Sequence, residues 1–286
     1  MTIRLIAGLA EIADRYDTLL CDVWGVIHNG REAFPGPCAA LECWRRERGP
    51  VILISNSPRP AAGVAEQMDA LGVPRAAWSD LVTSGDVTRD MLAARAPGPA
   101  WRIGPDRDAP LYEGLGLAFA DLGGAAFILC TGPNDDEVET PEDYRAPLAA
   151  GVERGLEMVC ANPDKVVQRG DRLIYCAGAL ADLYQNLGGA VVMAGKPFAP
   201  IYEACLARAR EHLSRPLDRR RVLAVGDGIP TDLVGANRQG FCALFIASGI
   251  HGGDLGRATA LDVAAVEALL AQEGASAAFA APDLAW

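Results

Sequence analysis

Short apolar runs recur along the chain, each followed by a polar or glycine loop and then by a helical pattern. Residues 18–21 (TLLC) run into Asp22, and 51–54 (VILI) into Ser55-Asn56-Ser57. Residues 81–83 (LVT) run into Ser84-Gly85-Asp86, 221–225 (RVLAV) into Gly226-Asp227-Gly228, and 241–246 (FCALFI) into Ala247-Ser248-Gly249. Continuous apolar runs of this length, bounded by turn signals, predict buried parallel strands. Between them, 60–71 reads as a helix stopped by Gly72. In 199–213, Ile201, Cys205, Ala209 and Leu213 repeat every four residues and give one apolar face. Residues 231–239 open on Thr231 and Asp232, suited to a helix start, and close at Gly240. Strands alternating with helices imply an α/β fold with a parallel sheet. Ligands of such sheets bind beyond the strand C-termini, where the polar residues just named fall.

The middle of the chain reads as a second α/β unit. Its predicted strands are 100–103, 126–130 and 157–160, and its predicted helices 86–95, 143–153 and 178–187. Gly188-Gly189 and then 191–193 are expected to lead back into the first unit. This gives a core of residues 1–87 and 191–286, interrupted by an inserted domain at 88–190. The tail beyond 274 is rich in alanine, and its Leu284 and Trp286 are expected to dock on the core.

Composition narrows the partners. Half of the 286 residues are hydrophobic, the balance of a globular protein with a substantial core. Lys plus Arg is 26 against 37 Asp plus Glu, a formal charge of −11. Such a protein has no general attraction for nucleic acid or an anionic membrane. An anionic substrate needs a local device: a metal ion, a few basic groups or backbone amides. The run Arg219-Arg220-Arg221 reads as a solvated face ahead of a strand. None of the eight cysteines forms a C-x-x-C pair, so neither zinc nor a disulfide framework is indicated. With no apolar stretch long enough for a signal core or a membrane span, the expected location is the reducing cytoplasm.

Four strand ends carry a coherent chemistry. Asp22 and Asp227 are carboxylates at two of them, Ser55 is a hydroxyl at a third, and Lys196 in Gly195-Lys196-Pro197 is a cation just ahead of a helix. Asp232 follows Asp227 by five residues. Oxygen ligands of this kind suit Mg²⁺, which is held by one or two carboxylates together with substrate phosphate and water. A metal screens a phosphate dianion so that a carboxylate can attack phosphorus. Lysine and a hydroxyl then stabilise the transferring oxygens, and the aspartyl-phosphate so formed is hydrolysed by water.

In these motifs the chain resembles the haloacid dehalogenase (HAD) superfamily, and specifically its class IIA members with a large α/β cap. The group includes nucleotide, sugar, p-nitrophenyl, pyridoxal and phosphoglycolate phosphatases. The resemblance rests on Leu20-Cys21-Asp22-Val23-Trp24-Gly25-Val26, on Ile54-Ser55-Asn56-Ser57, on Gly195-Lys196-Pro197, and on the stretch from Val225 through Asp227 to Asp232. Ala161-Asn162-Pro163-Asp164 and Ala177-Gly178-Ala179-Leu180 match the cap-exit signature. The resemblance implies a Rossmann-like, doubly wound parallel core with an inserted cap that covers the site and chooses the substrate. It implies Asp22 as nucleophile and metal ligand, with Asp227, Asp232 and the Trp24 carbonyl completing the Mg²⁺ site. Ser55, Asn56, Lys196 and the backbone of Val23 and Trp24 are implied to hold the phosphoryl group. The implied partner is a small phosphorylated metabolite, and pairing of caps makes a homodimer plausible.

One position departs from the family pattern. Its phosphatases usually carry a second Asp two residues after the nucleophile, which protonates the leaving group and later activates water. Here that residue is Trp24. General acid–base catalysis typically contributes ~10²–10⁴-fold, so the expectation is a slow phosphatase, or one whose leaving group departs without a proton. The alternative is a phosphometabolite-binding or regulatory protein with little turnover; a phosphotransferase is a third reading. His28 is the nearest replacement acid in the sequence. His251, Asp182 and Tyr184 are further candidates, and Lys165 is the one cap lysine suited to Schiff-base chemistry.

Overall fold

The computed structural model describes residues 2–169, 172–249 and 261–286. Its strands, in chain order, are β1 (Arg4–Leu5), β2 (Thr18–Asp22), β3 (Val51–Ser55), β4 (Asp80–Thr83), β5 (Ala100–Ile103), β6 (Phe127–Cys130), β7 (Glu157–Cys160), β8 (Val166–Arg169), β9 (Arg172–Tyr175), β10 (Ala190–Met193), β11 (Val222–Gly226), β12 (Cys242–Ile246) and β13 (Phe279–Ala281). The α-helices are α1 (Pro35–Glu47), α2 (Ala61–Ala70), α3 (Ser84–Ala93), α4 (Arg145–Glu153), α5 (Ala177–Asn186), α6 (Ala199–His212), α7 (Val234–Gln239) and α8 (Val263–Gln272). The chain divides into two compact units.

The first unit comprises Met1–Ser55, Ala62–Val82 and Lys196–Trp286. Its sheet has seven strands in the order β1-β13-β12-β11-β2-β3-β4. The pairs β1–β13, β13–β12, β12–β11, β11–β2 and β2–β3 are parallel. Every residue of β2 and β11 is buried, which is why these strands read as unbroken apolar runs. The register sets Cys21 beside Val225 and Asp22 beside Ile54. Because the strands are parallel, Asp22, Ser55 and the loop after Gly226 all emerge at one edge of the sheet. Helix α6 buries Ile201, Cys205 and Ala209 completely, the face that the four-residue spacing predicts. Leu284 is buried and the Ala285 carbonyl accepts from the Leu9 N–H, so the tail docks on this unit. The arginine run is paired at the surface: Arg219 with Glu203, Arg220 with Asp218 and Arg221 with Asp17.

The second unit comprises Asn56–Ala61 and Thr83–Gly195, where the sequence reading placed an insert at 88–190. The extra residues are tied in by hydrogen bonds. The Gly85 N–H donates to the Ser57 carbonyl at 3.0 Å, and the Ala61 N–H to Asp86 at 3.0 Å. Asp86 also closes a capping box with Thr83 at the start of α3. The sheet of this unit is parallel, in the order β10-β7-β6-β5. Leu92, Ala100, Leu111, Phe127, Leu129, Val159 and Ala161 form a core cluster here. An antiparallel hairpin, β8–β9, stands apart from that sheet.

Two expectations need correction. Residues 191–193 do not lead back to the first unit; they form β10, which pairs with β7. The Gly-Gly turn before them merely reverses the chain. Nor does a helix start at Thr231. A π-helical turn spans Ile229–Leu233 and α7 follows, ending at Gly240 in the left-handed region (φ 72°). Asp232 is therefore no helix cap, and its carboxylate is free to turn inward.

Candidate active site

In the first unit, Asp22 ends β2, Asp227 follows β11, and the π-helical turn carries Asp232 back toward both. The three carboxylates each offer an oxygen within 4.8 Å of the others, and all three side chains are buried. Lys196 reaches this cluster from the segment before α6. Its ammonium donates to Asp22 Oδ1 at 2.5 Å and to Asp232 Oδ1 at 2.7 Å. The other oxygen of Asp232, Oδ2, accepts from the Gly228 N–H at 3.0 Å.

The electrostatics are those of a site with too much negative charge. Burial lifts the Asp22 carboxyl to about 6 against the pull of Lys196, and the charge on Asp227 adds to the rise. Burial and then Asp22 lift Asp232 to about 7. Burial works to depress the Lys196 ammonium, yet the two carboxylates outweigh it and hold the group well above its ordinary value. Acid and base both rise because one ammonium cannot neutralise three carboxylates. When all are ionised, two negative charges remain over. Hard oxygen donors with that surplus suit a divalent cation such as Mg²⁺.

Close packing leaves room for this cluster because neighbours lack side chains: a Cβ at Gly226 would overlap the Asp232 carboxylate. A Cβ at Gly25 or at Gly249 would overlap the Asp227 carboxylate. Gly25 also has φ 85°, a conformation that glycine adopts without strain. Gly25 lies inside the first motif without a role of its own there, and Gly249 lies outside all four motifs. The available signal is positional: each directly follows a strand-end turn that carries polar residues.

Trp24 projects from the loop after β2 and is 49% exposed. Its ring lies against the backbone of Gly30, where a Cβ would overlap it, and meets the His28 ring edge-on at 5.4 Å between centroids. His28 itself is 3% exposed, and its Nδ1 accepts from the Gly30 N–H at 3.1 Å. Burial lowers its basicity. The imidazole thus supports the Trp24 loop from beneath. Val23 is buried and lends its backbone N–H to Asp22. Ser55 is half-buried at the end of β3.

The remaining sequence candidates fall elsewhere. Asn56 belongs to the second unit, where its side-chain amide donates to Asp164 at 2.8 Å. Tyr184 is fully buried in that unit and donates to the Leu156 carbonyl at 2.6 Å, so it is a core residue and not an acid. Asp182 pairs with Lys165 at 2.5 Å, which accounts for both. His251 lies outside the described residues.

Comparison with known proteins agrees with this geometry. A family model described as haloacid dehalogenase-like hydrolase matches residues 19–118, and a second HAD-hydrolase-like model matches 193–270. The crystal structure of a haloacid dehalogenase-like hydrolase from Brucella suis is similar at 44% identity, with a TM-score of 0.85. The match covers 98% of this chain and 100% of that one. Among curated proteins, the D-glycerol 3-phosphate phosphatase of Mycobacterium tuberculosis is 28% identical over 85% of this chain. This chain spans 66% of that relative's length. Chronophin of Bos taurus is 28% identical over 85% of each chain. By the identity and coverage of the Brucella protein, and by the two family models whose matched stretches contain Asp22, Lys196, Asp227 and Asp232, the chain belongs to the haloacid dehalogenase-like hydrolases, alongside their class IIA members.

Proposed function

We propose that this hydrolase is a phosphatase of small phosphorylated metabolites, with Asp22 as its nucleophile. The observation that carries the reading is the buried cluster of Asp22, Asp227, Asp232 and Lys196, with its surplus of two negative charges. Asp22, Asp227 and Asp232 are the residues to hold Mg²⁺, together with the Trp24 carbonyl that the motif resemblance implies. When bound, the ion supplies charge neutralisation for the phosphoryl oxygens.

The chain's own residues do the rest. Lys196 fixes Asp22 Oδ1, which orients the carboxylate and leaves its second oxygen to attack phosphorus. The Ser55 hydroxyl, at the end of β3 in the same unit, holds a phosphoryl oxygen. Attack gives an aspartyl-phosphate on Asp22, and water then returns the carboxylate and releases phosphate. The phosphatase names carried by the glycerol 3-phosphate phosphatase and by its ribonucleotide monophosphatase relative in Escherichia coli support the same reaction class.

The test is phosphate release over a broad panel of phosphorylated metabolites, with Mg²⁺ and with chelator, by wild type and Asp22→Asn. The reading requires release that needs both Mg²⁺ and Asp22. A folded wild type that releases nothing from any substrate would point instead to a binding protein.

A further inference from the structure

We infer that the described residues of the first unit give this site no general acid, and that it therefore takes phosphates whose leaving oxygen departs as an anion: aryl, enol and acyl phosphates and phosphoanhydrides. The inference deepens the phosphatase reading and rests on it. It comes from following the described donors beside Asp22 and Asp232 in the first unit. Trp24 stands two residues beyond the nucleophile, and its indole N–H is a donor with no useful acidity. The ring cannot swing away easily, since it is wedged against the Gly30 backbone and edge-on to His28.

The other groups are committed. Lys196 donates to two carboxylates at once. Both oxygens of Asp232 accept, one from Lys196 and one from the Gly228 N–H. His28 is buried, and its Nδ1 accepts from Gly30, so its proton sits on Nε2 beneath the Trp24 loop. The buried Cys21 thiol donates to the Asp22 carbonyl at 3.2 Å. The Tyr202 hydroxyl, also buried, points at the Thr231 carbonyl. Ser55 is an alcohol, no stronger an acid than an alcohol that leaves. Among the described residues of this unit, none of these groups is placed to hand a proton to a departing oxygen.

Asp22 forms a bond to phosphorus as the bond from phosphorus to the leaving oxygen breaks, and the electron pair goes with that oxygen. The anion takes its proton later from bulk water. In the second step water bonds to phosphorus, the bond to Asp22 breaks, and the proton of water ends on the released phosphate. That step lacks a base for the same reason, so the phosphorylated enzyme accumulates when the first step is fast.

The experiment is a series of aryl phosphates from nitro- to methoxy-substituted phenols, with one alkyl phosphate, at saturating Mg²⁺. The readout is log kcat/KM against leaving-group pKa, with pre-steady-state product formation. Wild type should show a steep fall with rising pKa and a burst with p-nitrophenyl phosphate. The alkyl ester should be slower by at least the ~10²–10⁴-fold that an acid supplies. Trp24→Asp should restore alkyl-ester turnover by a factor in that range and flatten the slope. If that variant does not fold, the wild-type slope decides alone. A flat wild-type slope overturns this inference and leaves the phosphatase reading intact. No release even from p-nitrophenyl phosphate overturns both.

Discussion

The Lys196 ammonium lies 2.5 Å from Asp22 Oδ1, although 174 positions separate the two residues. The contact is buried and is shared with Asp232 at 2.7 Å. It couples Asp22 to the segment that enters α6. Removing one partner of a buried ion pair leaves an uncompensated charge and typically costs about 3–5 kcal/mol. Lys196→Met should therefore lower the melting temperature clearly in the presence of chelator. Mg²⁺ should narrow the gap to wild type, because the ion neutralises what the lysine did. An equal loss with and without Mg²⁺ would separate the lysine from the metal site.

The same cluster sets a pH dependence for the metal-free protein. Asp22 and Asp232 move from an ordinary 3.8 to about 6 and about 7. Through these two groups the folded state binds more protons than the unfolded state between about pH 4 and 7, while the buried His28, held below its ordinary 6.5, works in the opposite direction in the upper part of that window. The two carboxyls' share of the stability must fall as pH rises through the window and level off above it. The salt-bridged Asp17, held below its ordinary value chiefly by Arg221, acts at still lower pH and with the opposite sign. Denaturant titrations in chelator should give a lower stability at pH 8 than at pH 5. Mg²⁺ should stabilise more at pH 8, where the carboxylates are ionised.

Glycine at 249 is a steric requirement of Asp227. Gly249→Ala should displace that carboxylate, lower the melting temperature of the metal-free protein and weaken the Mg²⁺-induced rise. Gly25→Ala should do the same and cost further stability through its positive φ. An undiminished Mg²⁺ shift in both variants would show that Asp227 is not a ligand.

Tyr184 offers a contrast from the second unit. Its hydroxyl satisfies the Leu156 carbonyl inside a packed core. Tyr184→Phe should cost about 0.5–1.5 kcal/mol, the net value of one hydrogen bond, and leave any phosphate release unaltered. Loss of activity at unchanged stability would reinstate it as a functional residue.

How much of this was legible in the sequence differs from residue to residue. Asp22, Ser55 and Asp227 could be read because parallel strands buried on both faces appear as apolar runs, and their ends are marked by the first polar residue. Lys196 could be read only through its motif; nothing local says that its ammonium meets Asp22. Asp232 reads as part of a helix start, since Thr-Asp is a capping signal, and the π-helical turn that redirects it leaves no pattern. The run 191–193 reads as a return to the first unit because so short a run carries no information on which sheet it joins. Helix α1 was hidden by its opening Pro-Gly-Pro, although proline is well tolerated in a first turn. His28 shows the limit most plainly: its type suits acid catalysis, while its burial and its bond to Gly30 make it a support.

The most direct test of the central claim is to trap the intermediate. The protein is mixed with p-nitrophenyl phosphate and Mg²⁺, quenched rapidly in acid, and its peptides are mapped by mass. The account predicts one phosphoryl group on the peptide that carries Asp22, absent from Asp22→Asn and from samples prepared with chelator. Turnover with no phosphorylated Asp22, or phosphate release that survives Asp22→Asn, would contradict it.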